Sequence, residues 1–218
     1  MRRVVGLAVW LTLSMTGCAA YRIAGQVQSG RQALLTNNPE AALGYFQQAA
    51  SENPQYVYTT ALFPEGVLTY LGRTQYLTEK LPEARQSLER ALDFNPNDHM
   101  GRLYLGLTLA RTGEAERGIK EIAAGLRGLY DWIDYTASHR LTLGYWDPSR
   151  QIRTEIDKNL QSISGKDFAL ETLIANAEWI GREIEEETER VLREEQRYFR
   201  DRDRIFRPGV SAGVGMGF

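Results

Sequence analysis

The sequence has little of what most chemistry requires. Cysteine occurs once in 218 residues and histidine twice. A lone cysteine rules out an internal disulfide, so the fold has to rest on packing. His99 and His139 each lack a second histidine or a cysteine at ligand spacing, which leaves zinc and other transition metals without a ligand set. Charge of one sign is lacking too. The 26 Lys and Arg residues against 28 Asp and Glu give a formal net charge of −2, too little to argue for a nucleic-acid partner. No glycine-rich loop leads into a helix, so there is no phosphate cradle. Asp131, Asp134 and His139 could be assembled into an acid–base set only with a nucleophile that the sequence does not place. The acidic run 183–189, interrupted by Ile184 and Thr188, reads as a solvated helix face and not a calcium site. We therefore expect no catalytic residue, no metal and no cofactor. Long apolar runs are missing as well: Val4–Met15 falls short of the ~20 residues needed to span a bilayer.

What is present begins at that short run. Arg2 and Arg3 precede it and Met15-Thr16-Gly17-Cys18 follows, the pattern of a secretory signal. Small residues ending in cysteine resemble the lipobox of bacterial lipoproteins, with Met15 where leucine is usual. The resemblance implies that 1–17 is cleaved, that Cys18 is lipidated, and that the acyl chains anchor the protein to the membrane. Ala19 after the cysteine implies delivery to the outer membrane, on its periplasmic face. Residues 18–29 then read as a tether passing into a first helix.

The middle of the chain carries an internal period. Leu71-Gly72, Ala84, Leu88, Ala91 and Pro96 are followed, 34 residues after Gly72, by Leu105-Gly106, Gly118, Ile122 and Gly125. Upstream, Ala42, Phe46, Ala49 and Pro54 keep the mutual spacings of Ala84, Leu88, Ala91 and Pro96, with Gly30 at the offset of Gly72. The pattern resembles the tetratricopeptide repeat (TPR), a helix–turn–helix unit that must stack on its neighbours to bury its apolar face. The small residues would let paired helices approach closely, and Phe46, Leu88 and Ile122 would fill the space beside them. Asn38-Pro39-Glu40, Leu81-Pro82-Glu83 and Thr112-Gly113-Glu114 mark the turns within units. The interval between the first two units is 42 residues, so a lengthened helix or a loop is expected around Tyr56, Tyr58, Phe63 and Pro64.

The resemblance covers about 23–130. Leu129–Arg140 reads as a separate capping helix on the last unit. Residues 139–146 read as a loop with two exposed aromatics, Tyr145 and Trp146. A helix is expected over Pro148–Ser162 and a long one over 168–204, amphipathic at first and then mostly charged, which should project or pair with a partner. In the last residues, apolar side chains alternate with glycine or serine up to Phe218. This is a flexible tail, or else a strand that adds to a partner's sheet.

The expectation is thus an all-α chain: a signal peptide (1–17), a tether (18–29), a short right-handed TPR-type helical solenoid of about three repeats (30–130), a C-terminal helical extension (131–204) and a Gly-rich tail (205–218). In TPR arrays the first helix of each pair lines a concave groove. That register places Arg31, Arg73, Tyr76, Leu107 and Arg111 on the partner-binding face, where three arginines could grip carboxylates. The Lys/Asn clamp of chaperone-binding TPR domains is not matched. The function implied is a non-catalytic adaptor or scaffold lipoprotein that binds a peptide or protein of the cell envelope in assembly, secretion or transport. The alternatives are a ligand-binding accessory of a transporter, recognised by a deep pocket, and a cell-wall enzyme.

Overall fold

The structure, a computed structural model, describes residues 21–139 and 145–206. The signal segment, Cys18 and the Gly-rich tail lie outside the described residues. The fold is mostly helical: α1 (21–35), α2 (Pro39–Glu52), α3 (Val67–Leu77), α4 (Leu81–Phe94), α5 (His99–Arg111), α6 (Ala115–Ser138), α7 (Gln151–Gly165) and α8 (Leu170–Phe206). A two-stranded antiparallel sheet, β1 (Val57–Thr60) and β2 (Phe63–Gly66), lies between α2 and α3.

Local chemistry sets the helix ends. The Asn38 side chain accepts from the Ala41 N–H at 3.1 Å and starts α2, with Pro39 in its first turn. Asp98 accepts from the Gly101 N–H at 2.8 Å and starts α5. α1, α3 and α5 all finish the same way. Asn37, Glu79 and Gly113 take positive φ (55°, 61° and 94°), and the next N–H, of Asn38, Lys80 and Glu114, returns to the carbonyl of Ala33, Gln75 and Leu109 at 2.8, 2.8 and 3.0 Å. This is the Schellman closure of a helix.

Consecutive helices pack in chain order from α2 to α8, and α8 returns onto α5 and β1. Three glycines, one in the first helix of each pair, allow close approach to the second. A Cβ on Gly30 would meet the Phe46 ring at 2.6 Å, one on Gly72 would meet Leu88 Cγ at 2.5 Å, and one on Gly106 would meet Ile122 N at 2.5 Å. The α5–α6 contact is the least forgiving, because there the obstacle is backbone. Gly106→Ala is expected to cost roughly 1–3 kcal/mol by overpacking, whereas Gly25→Ala, with open space at its Cβ, should stabilise α1 by about 0.5–1 kcal/mol. Urea denaturation followed by circular dichroism measures both.

Four expectations need correction. The extra residues between the first two helix pairs form a hairpin, because Val57-Tyr58-Thr59-Thr60 favours extended backbone and Ala61 and Leu62 both take positive φ (49° and 66°) in a two-residue turn. Residues 129–138 are not a separate cap but continue α6, since Tyr130 stands where a proline would have ended it. The next helix starts at Gln151, with Asp147 accepting from the Ile152 and Arg153 N–H groups, each at 3.1 Å. Trp146 is not exposed; it is fully buried, edge-on to Trp132 at 4.7 Å and hydrogen-bonded to the Ala61 carbonyl at 3.0 Å.

Candidate functional site: the arginine face and the helix that fills it

α8 decides what the predicted groove can do. Its proximal part, as far as Val191, carries Leu173, Ala177, Ile180, Ile184 and Val191 on one face, all buried in the main core. Gly181 lets it lie directly on Tyr104, whose hydroxyl a Cβ would meet at 2.6 Å. The helix therefore does not project along its whole length; its proximal half is seated on the face formed by α1, α3 and α5.

The same seating brings acids onto the predicted arginines. Arg31 Nε donates to Glu185 at 2.7 Å and Arg31 Nη2 lies 2.9 Å from Glu189. Arg73 Nη1 donates to both oxygens of Glu65 at 2.6 and 2.7 Å and to Glu185 at 3.3 Å. The Arg73 guanidinium also lies over the Tyr104 and Tyr70 rings at 5.2 and 5.5 Å. Tyr76 donates to Glu178 at 2.6 Å. Arg31 is 3% exposed, Arg73 2%, Tyr76 1% and Leu107 0%, so four of the five residues read as an open partner-binding surface are buried within the chain. Arg111 alone keeps substantial exposure, paired with Glu79 at 2.6 Å and lying 5.1 Å from the Tyr76 ring centre. Nor is the acidic run a wholly solvated face, because Glu185 and Thr188 are buried.

Sequence reasoning identified the arginines and missed their partners, Glu65, Glu178, Glu185 and Glu189. Glu65 sits in the hairpin, which no repeat register predicts. Glu178, Glu185 and Glu189 share a stripe of α8 at offsets of 7 and 11 residues, and that spacing was a usable signal. The imagined acid–base set is not assembled: Asp134 pairs with Arg153 at 2.9 Å, and the His139 ring nitrogen lies against the Tyr135 carbonyl at 2.6 Å. Among the described residues no group of three or more His, Cys, Asp or Glu is placed to hold a metal ion. No helix among the described residues is long and apolar enough to cross a membrane.

Electrostatically the cluster holds two guanidinium groups and three carboxylates, with Glu65 and Arg73 almost fully buried. Burial opposes the charge on Arg73, but Glu65, Tyr104 and Glu185 outweigh it and hold the guanidinium protonated more firmly than usual. Burial pushes Glu65 up to about 7; Arg73 opposes this, while Glu185 and Asp98 add to it. A carboxyl whose folded pKa lies above its unfolded value near 4.3 stabilises fully at low pH, and that contribution is lost as pH rises towards 7. Wild type should therefore lose about 1–3 kcal/mol more between pH 5 and pH 8 than Glu65→Gln does, which paired urea titrations will show.

α8 leaves part of the groove open. A cavity of about 410 Å³ remains between the end of α1 (Leu34, Leu35), Arg73 and Leu77 of α3, and Arg182 and Glu186 of α8. Past Val191, α8 emerges from the body, and Tyr198 and Phe199 are exposed side by side, 42% and 49%, with ring centroids 5.6 Å apart. Compared with known proteins, the chain matches no family model and no curated relative.

Proposed function

We propose that the protein is a lipid-anchored, TPR-type helical adaptor on the periplasmic face of the bacterial outer membrane, which holds an envelope protein without catalysis. The TPR reading is supported by the three Schellman ends at Asn37, Glu79 and Gly113 and the three glycine contacts at Gly30, Gly72 and Gly106. Both sets recur at the 42- and 34-residue intervals of the sequence pattern. The observation that carries the adaptor reading is α8 itself: a helix bearing Glu178, Glu185 and Glu189 sits on Tyr76, Arg73 and Arg31, so this face is built to hold an acidic helix. With its own helix in place, the outward contacts fall to the rim at Arg111 and to the distal part of α8. That part extends ~22 Å as 15 residues of helix from Leu192 to Phe206.

The test is site-specific photo-crosslinking in cells, from position 199 of the full chain and from position 94, an exposed phenylalanine on α4. A discrete crosslinked product from 199 and none from 94 is expected; no product from 199, or the same products from both, rejects the adaptor reading. Globomycin tests the anchor separately, since failure to accumulate precursor would mean that Cys18 is not lipidated.

A further inference from the structure

We propose that the cavity between α1, α3, α5 and α8 is a binding site for a small monocarboxylate with an apolar body. Its volume of about 410 Å³ falls in the range of small-molecule sites. The wall formed by Leu34, Leu35 and Leu77 is apolar, and all three side chains are only partly covered by the protein, which suits a hydrocarbon body.

The polar side of the cavity sets the sign of the ligand. Arg73 lines it at 2% exposure, and both of its carboxylate partners are held through Nη1. Its Nε has no hydrogen-bond partner among the described residues, although a buried donor is normally satisfied. Arg182, on the α8 side, is exposed and makes no salt bridge or hydrogen bond with a described residue. Two acids also line the cavity. Glu185 is already committed to Arg31 and Arg73, and Glu186 stands on the exposed rim, where water screens it. The unused capacity is therefore for donation, from one buried and one exposed guanidinium. A carboxylate can sit at Arg182 beside the buried charge of Arg73, with its apolar body lying along the leucines. The inference is independent of the adaptor reading, since the site uses neither the lipid anchor nor the distal part of α8.

The probe is hexanoate, titrated into the full chain by calorimetry and followed through the arginine Nε–H resonances, with hexylammonium as the opposite-charge control. Hexanoate should bind and shift the Arg73 Nε–H resonance. Arg182→Gln should weaken binding about tenfold, the effect of one charge-assisted hydrogen bond. Leu77→Trp, at a half-exposed wall position that tolerates bulk, should abolish binding without lowering the melting temperature. Hexylammonium binding as tightly as hexanoate, hexanoate binding with the Arg73 resonance unmoved, or no binding of hexanoate would each overturn the proposal.

Discussion

Replacing Glu185 with alanine should lower the free energy of unfolding by about 3–5 kcal/mol, the cost of breaking a buried ion pair from one side. Glu185 is 6% exposed and accepts from both Arg31 and Arg73, themselves buried. Without it, Arg31 keeps, among the described residues, Glu189, whose side chain is 22% exposed, Thr60 at 3.4 Å and the Tyr58 ring at 5.8 Å. Arg31 and Arg73 are only 3% and 2% exposed, so little water reaches either guanidinium while α8 stays seated. The substitution should therefore release the proximal half of α8 as well as destabilise the body, and the urea m-value should fall because less surface remains to be exposed on unfolding. Glu189→Ala, at the wet edge of the same cluster, should cost no more than about 1 kcal/mol, since partly exposed pairs contribute little. A double-mutant cycle between Arg31 and Glu185 separates their coupling from the cost of the orphaned charge.

Trp146→Ala should cost about 3–5 kcal/mol, the range for emptying a large aromatic site in a core. The side chain is fully buried, perpendicular to Trp132 at 4.7 Å and tilted on Phe63 at 6.0 Å, so it ties α6 to the hairpin. Its Nε1–H also satisfies the Ala61 carbonyl at the turn where two non-glycine residues carry positive φ. Backbone held in that region persists only when its surroundings fix it. Loss of Trp146 should therefore loosen the hairpin and, through Glu65 on β2, disturb Arg73. Trp146→Phe keeps most of the packing but leaves the Ala61 carbonyl unpaired, a cost of about 1–3 kcal/mol. Comparison of the two variants by urea denaturation isolates the hydrogen bond.

Much of the first 130 residues is legible in the sequence because the signals there are local. A capping asparagine followed by proline, a glycine opposite a large apolar residue 16 positions on, and a turn closed by Gly113 each act within one helix pair, and the helical elements appear where those signals place them. The hairpin was missed because its turn is Ala61-Leu62 and not the Asn-Gly or Asp-Gly that announces such a turn. Trp146 looked exposed because the residues that bury it, Phe63 and Trp132, are distant in sequence. The candidate site was half legible. Arg31 and Arg73 were found from register, yet whether an arginine face is open or filled depends on where a helix more than 100 residues later comes to lie. The charged composition of α8 argued for projection. What seats it instead is the stripe of Ala177, Ile184 and Val191 flanked by Glu178 and Glu185, whose charges are matched by partners that composition cannot reveal.

The measurement that bears most directly on the filled groove is native-state hydrogen exchange along α8. Amides from 173 to 191 should open only with the free energy of global unfolding, in step with those of α3 and α5, whereas amides from 195 to 206 should exchange far faster. If the whole of α8 exchanges at one fast rate while α3 and α5 stay protected, the helix does not occupy the arginine face and the account fails.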